Sequence, residues 1–324
     1  MKANSTPDRL SLLRFARLGV AILVAVVFWT SVSPLARHPE TAAPRRADTG
    51  APCRIVSMVL AGDEMLLDLL PRRCLRAVSP YAADPLYSNV AERAKGLTSV
   101  TESVEQIVKL QPDLVVLASY SDPVVREMLR SVGMNIYELR FFTSIPQIMV
   151  SVRELGRAVQ MRDRAEALVA SMRYRLSMLR ERAKDFPSIR VLYYAFGGFV
   201  HGRNTSVDAV ITASGAVNAA ALMGIDDARE VPGEVVLSMK PDIILIGSSN
   251  PNAAVLAQAR WAPTLRHLDA VQHGDVYALP HGLAGTVSHY TVEAAEALQD
   301  ILIRYLQRRH GAAARLSGVG SGGP

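Results

Sequence analysis

A chain of 324 residues, 49% apolar and 20% charged, has the composition of a globular protein and the length for two lobes, which excludes fibrous and disordered classes. The formal net charge of +6 is carried by the ends: residues 1–50 hold seven Lys or Arg against three acids, and residues 304–324 hold four Arg and no acid. The body is therefore near −2 and lacks the basic stripe that a phosphate backbone requires, which argues against nucleic acid as a partner.

In chain order, Lys2, Arg9, Arg14 and Arg17 precede an uncharged run from Leu18 to Val32, the charged-then-apolar order of an export signal. The run falls short of the ~20 apolar residues of a membrane span. Residues 1–36 are read as a signal peptide or, because Pro34 spoils the small-residue cleavage pattern before Ala36, as an N-terminal anchor. Cys53 lies too far past the apolar run for a lipoprotein signal, and residues 37–53, rich in Pro, Ala and charge, read as a flexible linker. Cys53 and Cys74 precede consecutive strands, RIVSMV and LRAVS. Neighbouring parallel strands run ~4.8 Å apart, so a disulfide is expected in an exported protein, with two unpaired thiols as the alternative. With no further Cys or His nearby the pair is not a zinc site.

From Arg54 strand and helix patterns alternate: RIVSMV, DEMLLDLL, LRAVS, SVEQIVKL, DLVVLA, REMLRSVG and NIYELR predict an N-terminal α/β lobe over 54–143. Residues 144–187 predict linking helices. Ser144 and Gln147 form an S-x-x-Q capping box ahead of Ile145, Ile148, Met149, Val152, Leu155 and Val159, and a second start at Asp163 and Glu166 opens a helix of ~20 residues and ~30 Å. Its stripe of Leu168, Met172, Leu176 and Leu179 reads as core. A C-terminal α/β lobe over 188–310 resumes with RVLYYAF, SVDAVITASG, VVLSMK, DIILIG, VYALP and a last helix from Thr291, and residues 311–324 read as a disordered tail. The fold class is α/β: two Rossmann-like lobes with mainly parallel sheets, joined by a long backbone helix.

One pattern occurs twice. EQIVKLQPDLVVL (Glu105–Leu117) and EVVLSMKPDIILI (Glu234–Ile246) both run from a glutamate through a short helix and a Pro-Asp turn into a buried strand, one copy in each lobe. Glu105 and Glu234 sit at helix starts, where the dipole favours a carboxylate by ~0.3–1 kcal/mol. Their recurrence also suggests two exposed acidic knobs that matched basic pockets on a two-fold partner would accept.

Ligands of open α/β sheets bind beyond the carboxyl ends of the strands. The loops there hold Tyr81, Tyr87, Tyr120, Phe141, Phe142, Phe199, His201, Arg203 and His281, a concentration of rings in a chain that is 6% aromatic. Such walls suit a large planar or macrocyclic small molecule, although any one ring is equally compatible with a core position. No histidine falls between residues 39 and 200, so the first lobe offers a bare metal ion only carboxylates or tyrosines, and no metal site is assigned. Tyr81, Tyr120, His201 and His281 are the candidates to touch a haem iron. Gly197 and Gly202 are spaced as in a phosphate loop, but Arg203 and Asn204 replace its Lys and Ser or Thr. With no G-x-S-x-G and no paired acids, no enzyme and no cofactor are expected.

These segments resemble the helical-backbone periplasmic binding proteins that serve ABC importers of ferric siderophores, haem and cobalamin. The likeness spans most of Arg54 to Leu306. It is carried by RIVSMVLAGDEMLLDLL, SVEQIVKLQPDLVVL, the linking helix, NTSVDAVITASGAVNAAALMG, EVVLSMKPDIILI and VQHGDVYALP. The chain departs at Ser214-Gly215-Ala216-Val217-Asn218, where the family has Gly-Gly before Asn, and at VLAGDE after the first strand. The resemblance implies solute held between the lobes and docking on an ABC permease dimer through Glu105 and Glu234. It places the chain in the periplasm, secreted, or anchored on the outer face of the inner membrane. A membrane-tethered sensor or interaction domain on the same scaffold is the alternative.

Overall fold

Aliphatic runs of three to six residues supply the central strands, shorter or polar segments the edges, and the stretches between them cover the faces. The computed structural model describes residues 52–318 except 141, 196 and 251, with side chains as far as His310; the expected signal or anchor and residues 37–51 of the expected linker lie outside the described residues.

The N-terminal lobe comprises β1 (Ile55–Ser57), α1 (Leu60–Leu69), β2 (Leu75–Val78), α2 (Ala91–Ala94), β3 (Thr98–Ser99), α3 (Val104–Lys109), β4 (Leu114–Ala118), α4 (Pro123–Ser131) and β5 (Ile136–Leu139). Its sheet has the order β3-β2-β1-β4-β5, with all pairings parallel. The order reverses between β1 and β4, so the crevice for a ligand opens beyond Ser57 and Ala118. Both faces are covered, by a core around Met65, Leu66, Leu114 and Val116 and by another around Val56, Val115, Leu117 and Ile107. Cys53 and Cys74 are joined by a disulfide that ties the chain ahead of β1 to the chain ahead of β2.

Two helices link the lobes, α5 (Ile145–Ala158) and α6 (Arg162–Arg182). Both capping expectations are revised. The Ser144 side chain makes no cap bond, while Gln147 Oε1 accepts from the Thr143 N–H at 3.0 Å, so the box closes one residue early. Met161 rather than Asp163 precedes α6, and Glu166 turns to Arg153 on α5 at 2.8 Å. The helices touch at Gly156, where a Cβ would lie 2.3 Å from that of Ala165. Along α6, Ala165, Val169 and Met172 are buried in the N-terminal core and Leu179 in the C-terminal core, and Leu176 packs against both.

The C-terminal lobe comprises β6 (Arg190–Ala195), β7 (Phe199–His201), α7 (Ser206–Ala213), β8 (Val217–Asn218), α8 (Ala219–Leu222), β9 (Ala228–Glu230), α9 (Gly233–Ser238), β10 (Ile243–Gly247), α10 (Asn252–Trp261), α11 (Asp269–Gln272), β11 (Val276–Leu279), α12 (His281–Ala284) and α13 (Thr291–Gly318). Its sheet runs β11-β10-β6-β7-β9, parallel as far as β6 and antiparallel at β7 and β9, with β8 beside β6. The tail expected to be disordered from residue 311 is instead helical through Gly318, since Ala312, Ala313, Ala314 and Leu316 are among the best helix formers. Arg175 on α6 pairs with Glu296 on α13, and the buried Gln299 donates to the carbonyls of Leu179 (2.8 Å) and Ser214 (3.2 Å). The linking helix is thereby fastened to the last one.

Candidate ligand cleft

The turns after β1, β2, β4 and β5 form the N-terminal wall. Tyr81 and Tyr87 lie on the loop between β2 and α2, and Tyr120 follows β4; they are 53%, 45% and 63% exposed, far more than rings kept for a core. Tyr81 meets Tyr87 edge to face, with centroids 5.7 Å apart. From the other lobe His281, the first residue of α12, approaches Tyr87 at 6.4 Å. Behind His281, Gly247 ends β10. A Cβ there would fall 2.5 Å from the Tyr193 hydroxyl and 3.5 Å from His281 Nδ1, and Tyr193 in turn meets His201 edge to face at 5.0 Å. Tyr81, Tyr87 and His281 thus cross from one lobe to the other, and the Tyr193–His201 pair continues the ladder of rings on the far side of Gly247. A small open hollow is lined by Val59, Ala118, Tyr120, Arg140, Phe142 and, from the C-terminal lobe, Val287.

Burial lowers the His201 pKa below the usual imidazole value, so its ring is neutral at pH 7 and keeps a lone pair. Burial raises the Tyr193 phenol, which stays protonated and bonds the Gly247 backbone. Among the described residues no group of three His, Cys, Asp or Glu comes together as ligands for a bare metal ion.

The other expected site residues are scattered. Phe142 is 4% exposed and belongs to the N-terminal core with Leu139 and Ile145, so it borders the hollow without offering a face; this revises its place as a ligand-stacking ring. Phe141 lies outside the described residues. Phe199 is half-buried on β7, and Arg203 spends its charge on Asp226 at 2.8 Å. Glu105, in the first turn of α3, and Glu234, in the first turn of α9, are both exposed. An open depression of about 510 Å³ lies at the opposite, amino edge of the second sheet, among Arg190, Lys240, Asp242, His267 and His273, away from the strand tips.

Sequence reasoning missed Tyr193, hidden in a run that reads as a buried strand, and it missed the polar seam beneath the rings. Asp63 and Glu64 are both buried on α1. Asp63 accepts from the Ser79 N–H (3.1 Å) and hydroxyl, and burial pushes its pKa up to about 8. Glu64 Oε1 accepts from the Asn89 N–H (3.0 Å) and Nδ2 (2.7 Å), and its Oε2 accepts from the hydroxyls of Thr286 (3.3 Å) and Ser288. Asn89 Nδ2 also donates to the Gly282 carbonyl at 3.0 Å. One turn on, Asp68 meets His289 at 2.6 Å and Arg93 at 2.6 Å. Three acids, Asp63, Glu64 and Asp68, in the otherwise apolar GDEMLLDLL were the available signal.

Comparison with known proteins bears on this arrangement. Residues 55–283 match the family model described as periplasmic binding protein. The chain is 29% identical over 234 residues to the cobalamin-binding protein of Halobacterium salinarum, covering 70% of this chain and 63% of that relative, so it spans less than two thirds of the relative's length. Among solved structures, the apo periplasmic heme-binding protein RhuT from Roseiflexus sp. RS-1 superposes with a TM-score of 0.68 at 25% identity, over 78% of this chain and 98% of that one. The periplasmic vitamin B12 binding protein BtuF of Vibrio cholerae does so with 0.63 at 23% identity, over 79% and 98%, a likeness of fold alone. With the family model covering well over half of its length and two α/β lobes pinned to one long helix, the chain belongs to the periplasmic binding proteins, which are extracytoplasmic solute binders and not enzymes.

Proposed function

We propose that the chain is the receptor of an ABC importer, taking an iron chelate, haem or a corrinoid between its lobes and delivering it to the permease. The ladder of rings running from Tyr81 and Tyr87 through His281 to Tyr193 and His201 carries this reading. The exposed aromatic faces of Tyr81, Tyr87 and Tyr120 are complementary to a flat macrocycle of large apolar area, and the neutral His201 imidazole and the phenols suit its metal. Arg203 is engaged by Asp226, while Arg140 lines the hollow and is placed to meet an anionic group, a haem propionate or a siderophore carboxylate alike; the flat apolar ring faces are what favour haem and corrinoids. The cobalamin- and heme-binding names of the relatives point the same way.

Delivery is assigned to Glu105 and Glu234. Each is exposed on a short helix in the same place in its lobe, which suits a two-fold partner with matched basic pockets. Residues 1–36 serve either as an export signal or as a tether to the outer face of the membrane.

The test is a titration of the purified protein with hemin, cyanocobalamin and ferric siderophores, followed by thermal unfolding and absorbance. A true ligand at about 100 times its dissociation constant stabilises by about 2.7 kcal/mol. If none of the three shifts the transition, the ligand class is wrong. Replacing Glu105 and Glu234 by Ala is expected to abolish uptake in cells with ligand affinity unchanged; retained uptake removes their docking role.

A further inference from the structure

Two acids one helical turn apart on α1, Glu64 and Asp68, both leave the N-terminal lobe and bond to one segment of the other, Thr286 to His289. Four donors converge on the Glu64 carboxylate: two from Asn89, on the loop that carries Tyr87, and one each from Thr286 and Ser288, on the loop that follows His281. Asn89 also reaches the Gly282 carbonyl. At Gly282 the loops are so close that a Cβ would sit 2.9 Å from Asn89 Oδ1 and 3.1 Å from the Tyr87 carbonyl oxygen. Four donors match the four lone-pair directions of a carboxylate, and removing any donor would leave a buried polar oxygen short of a partner. This seam lies directly under the Tyr87 and His281 rings, the one place where the aromatic ladder passes between lobes.

We propose that Glu64 is a positioning residue that clasps the two lobes through Asn89, Thr286 and Ser288, with Asp68 and His289 as a second tie, and so sets the spacing at which the cleft accepts its ligand. The consequence for ligand rests on the receptor reading above; the clasp itself does not. The same spacing fixes the separation of Glu105 from Glu234, so the clasp also holds the two acids in register for a partner.

The experiment reads lobe spacing and ligand affinity separately. The native cysteines are disulfide-bonded, so nitroxides on Lys109→Cys and Ser238→Cys label only these two exposed positions, one in each lobe. Three variants are compared in that background. Glu64→Ala removes the acceptor. Thr286→Val with Ser288→Ala removes the donors of the C-terminal lobe and leaves α1 intact. Gly282→Ala drives a methyl into the seam. The expected result is a broader and longer distance distribution in all three, and binding of cyanocobalamin or hemin weakened about tenfold or more, whichever the unaltered protein binds. Distances in the Thr286→Val, Ser288→Ala and Gly282→Ala proteins that match the unaltered protein would overturn the clasp, whatever becomes of Glu64→Ala. Lengthened distances in a protein that binds neither probe would uphold the clasp and refute the ligand class instead.

Discussion

Asp63 sits beside a carboxylate that has four donors and has few of its own. It is fully buried, adjacent to Glu64, and bonded only by Ser79, the residue after β2, and Ser57. Desolvation dominates over these hydrogen bonds, with the Glu64 charge adding a smaller push, and raises the pKa from 3.8 to about 8. At neutral pH Asp63 is therefore protonated; burial raises the Glu64 pKa as well, opposed there by the hydrogen bonds from Ser288 and Asn89. The sign of the linkage follows: between pH ~4 and ~8 the folded chain holds a proton that the unfolded chain has released, so this group makes stability fall as pH rises through that window. Asp63→Asn keeps the shape, cannot ionise, and should raise stability near pH 8 by a few kcal/mol, with the gain vanishing toward pH 4. Thermal unfolding of both proteins across that range checks it. A gain that does not change with pH would mean that Asp63 is already ionised in the folded state.

At the scale of elements, the duplicated Pro-Asp turn has one structural job in both lobes. Asp113 accepts from the Arg54 N–H (3.1 Å) and guanidinium at the start of β1, and Asp242 accepts from the Arg190 N–H (2.7 Å) and guanidinium at the start of β6. Each turn's own N–H closes the loop, Asp113 to the Arg54 carbonyl and Asp242 to the Arg190 carbonyl. The residues before the two prolines, Gln111 and Lys240, share a positive φ of 47° and 43°. Asp113→Ala and Asp242→Ala should each cost about 1–2 kcal/mol in urea denaturation and add in the double variant, since they lie in separate lobes; strong non-additivity would show that the turns are coupled through the linking helix. The alternation of strand and helix was legible because parallel strands buried on both faces read as unbroken aliphatic runs, and so was α6, whose stripe runs through both cores. Legibility ended where tertiary contact decides. β7 and β9 are three residues each and antiparallel, too short to show a period. α10 starts in a Ser-Ser-Asn-Pro-Asn stretch that reads as loop. Of the candidates taken from strand ends alone, the structure brings Tyr81, Tyr87 and His281 together. That Phe142 turns inward, or that Glu64 finds two of its four donors more than 200 residues away, depends on packing that one strand's pattern does not encode.

For the whole molecule the question is whether the lobes close on a solute by bending or stand ready at a fixed distance. A hinge absorbs motion in a few loosely packed residues between rigid bodies. Here the connection is a 21-residue helix whose Ala165, Val169 and Met172 belong to one core and Leu179 to the other, crossed by α5 at Gly156 and fastened to α13 through Arg175 and Gln299. Bending α6 at its middle would pull Leu176 away from both cores and expose apolar area at about 25 cal/mol per Å². On the cleft side Val292, at the start of α13, is buried in the N-terminal core, so the lobes are stitched at the back by a helix and at the front by another helix's first turn. Ligand should therefore enter with little change of shape, the radius of gyration in solution scattering shifting by less than about 1 Å at saturation. Substituting Gly156→Val, which drives bulk into the helix crossing, should loosen the pair and enlarge that shift while lowering stability by about 1–3 kcal/mol. A contraction of several ångströms in the unaltered protein would mean that the cores part at α6 after all, and that ligand affinity includes the cost of closing them.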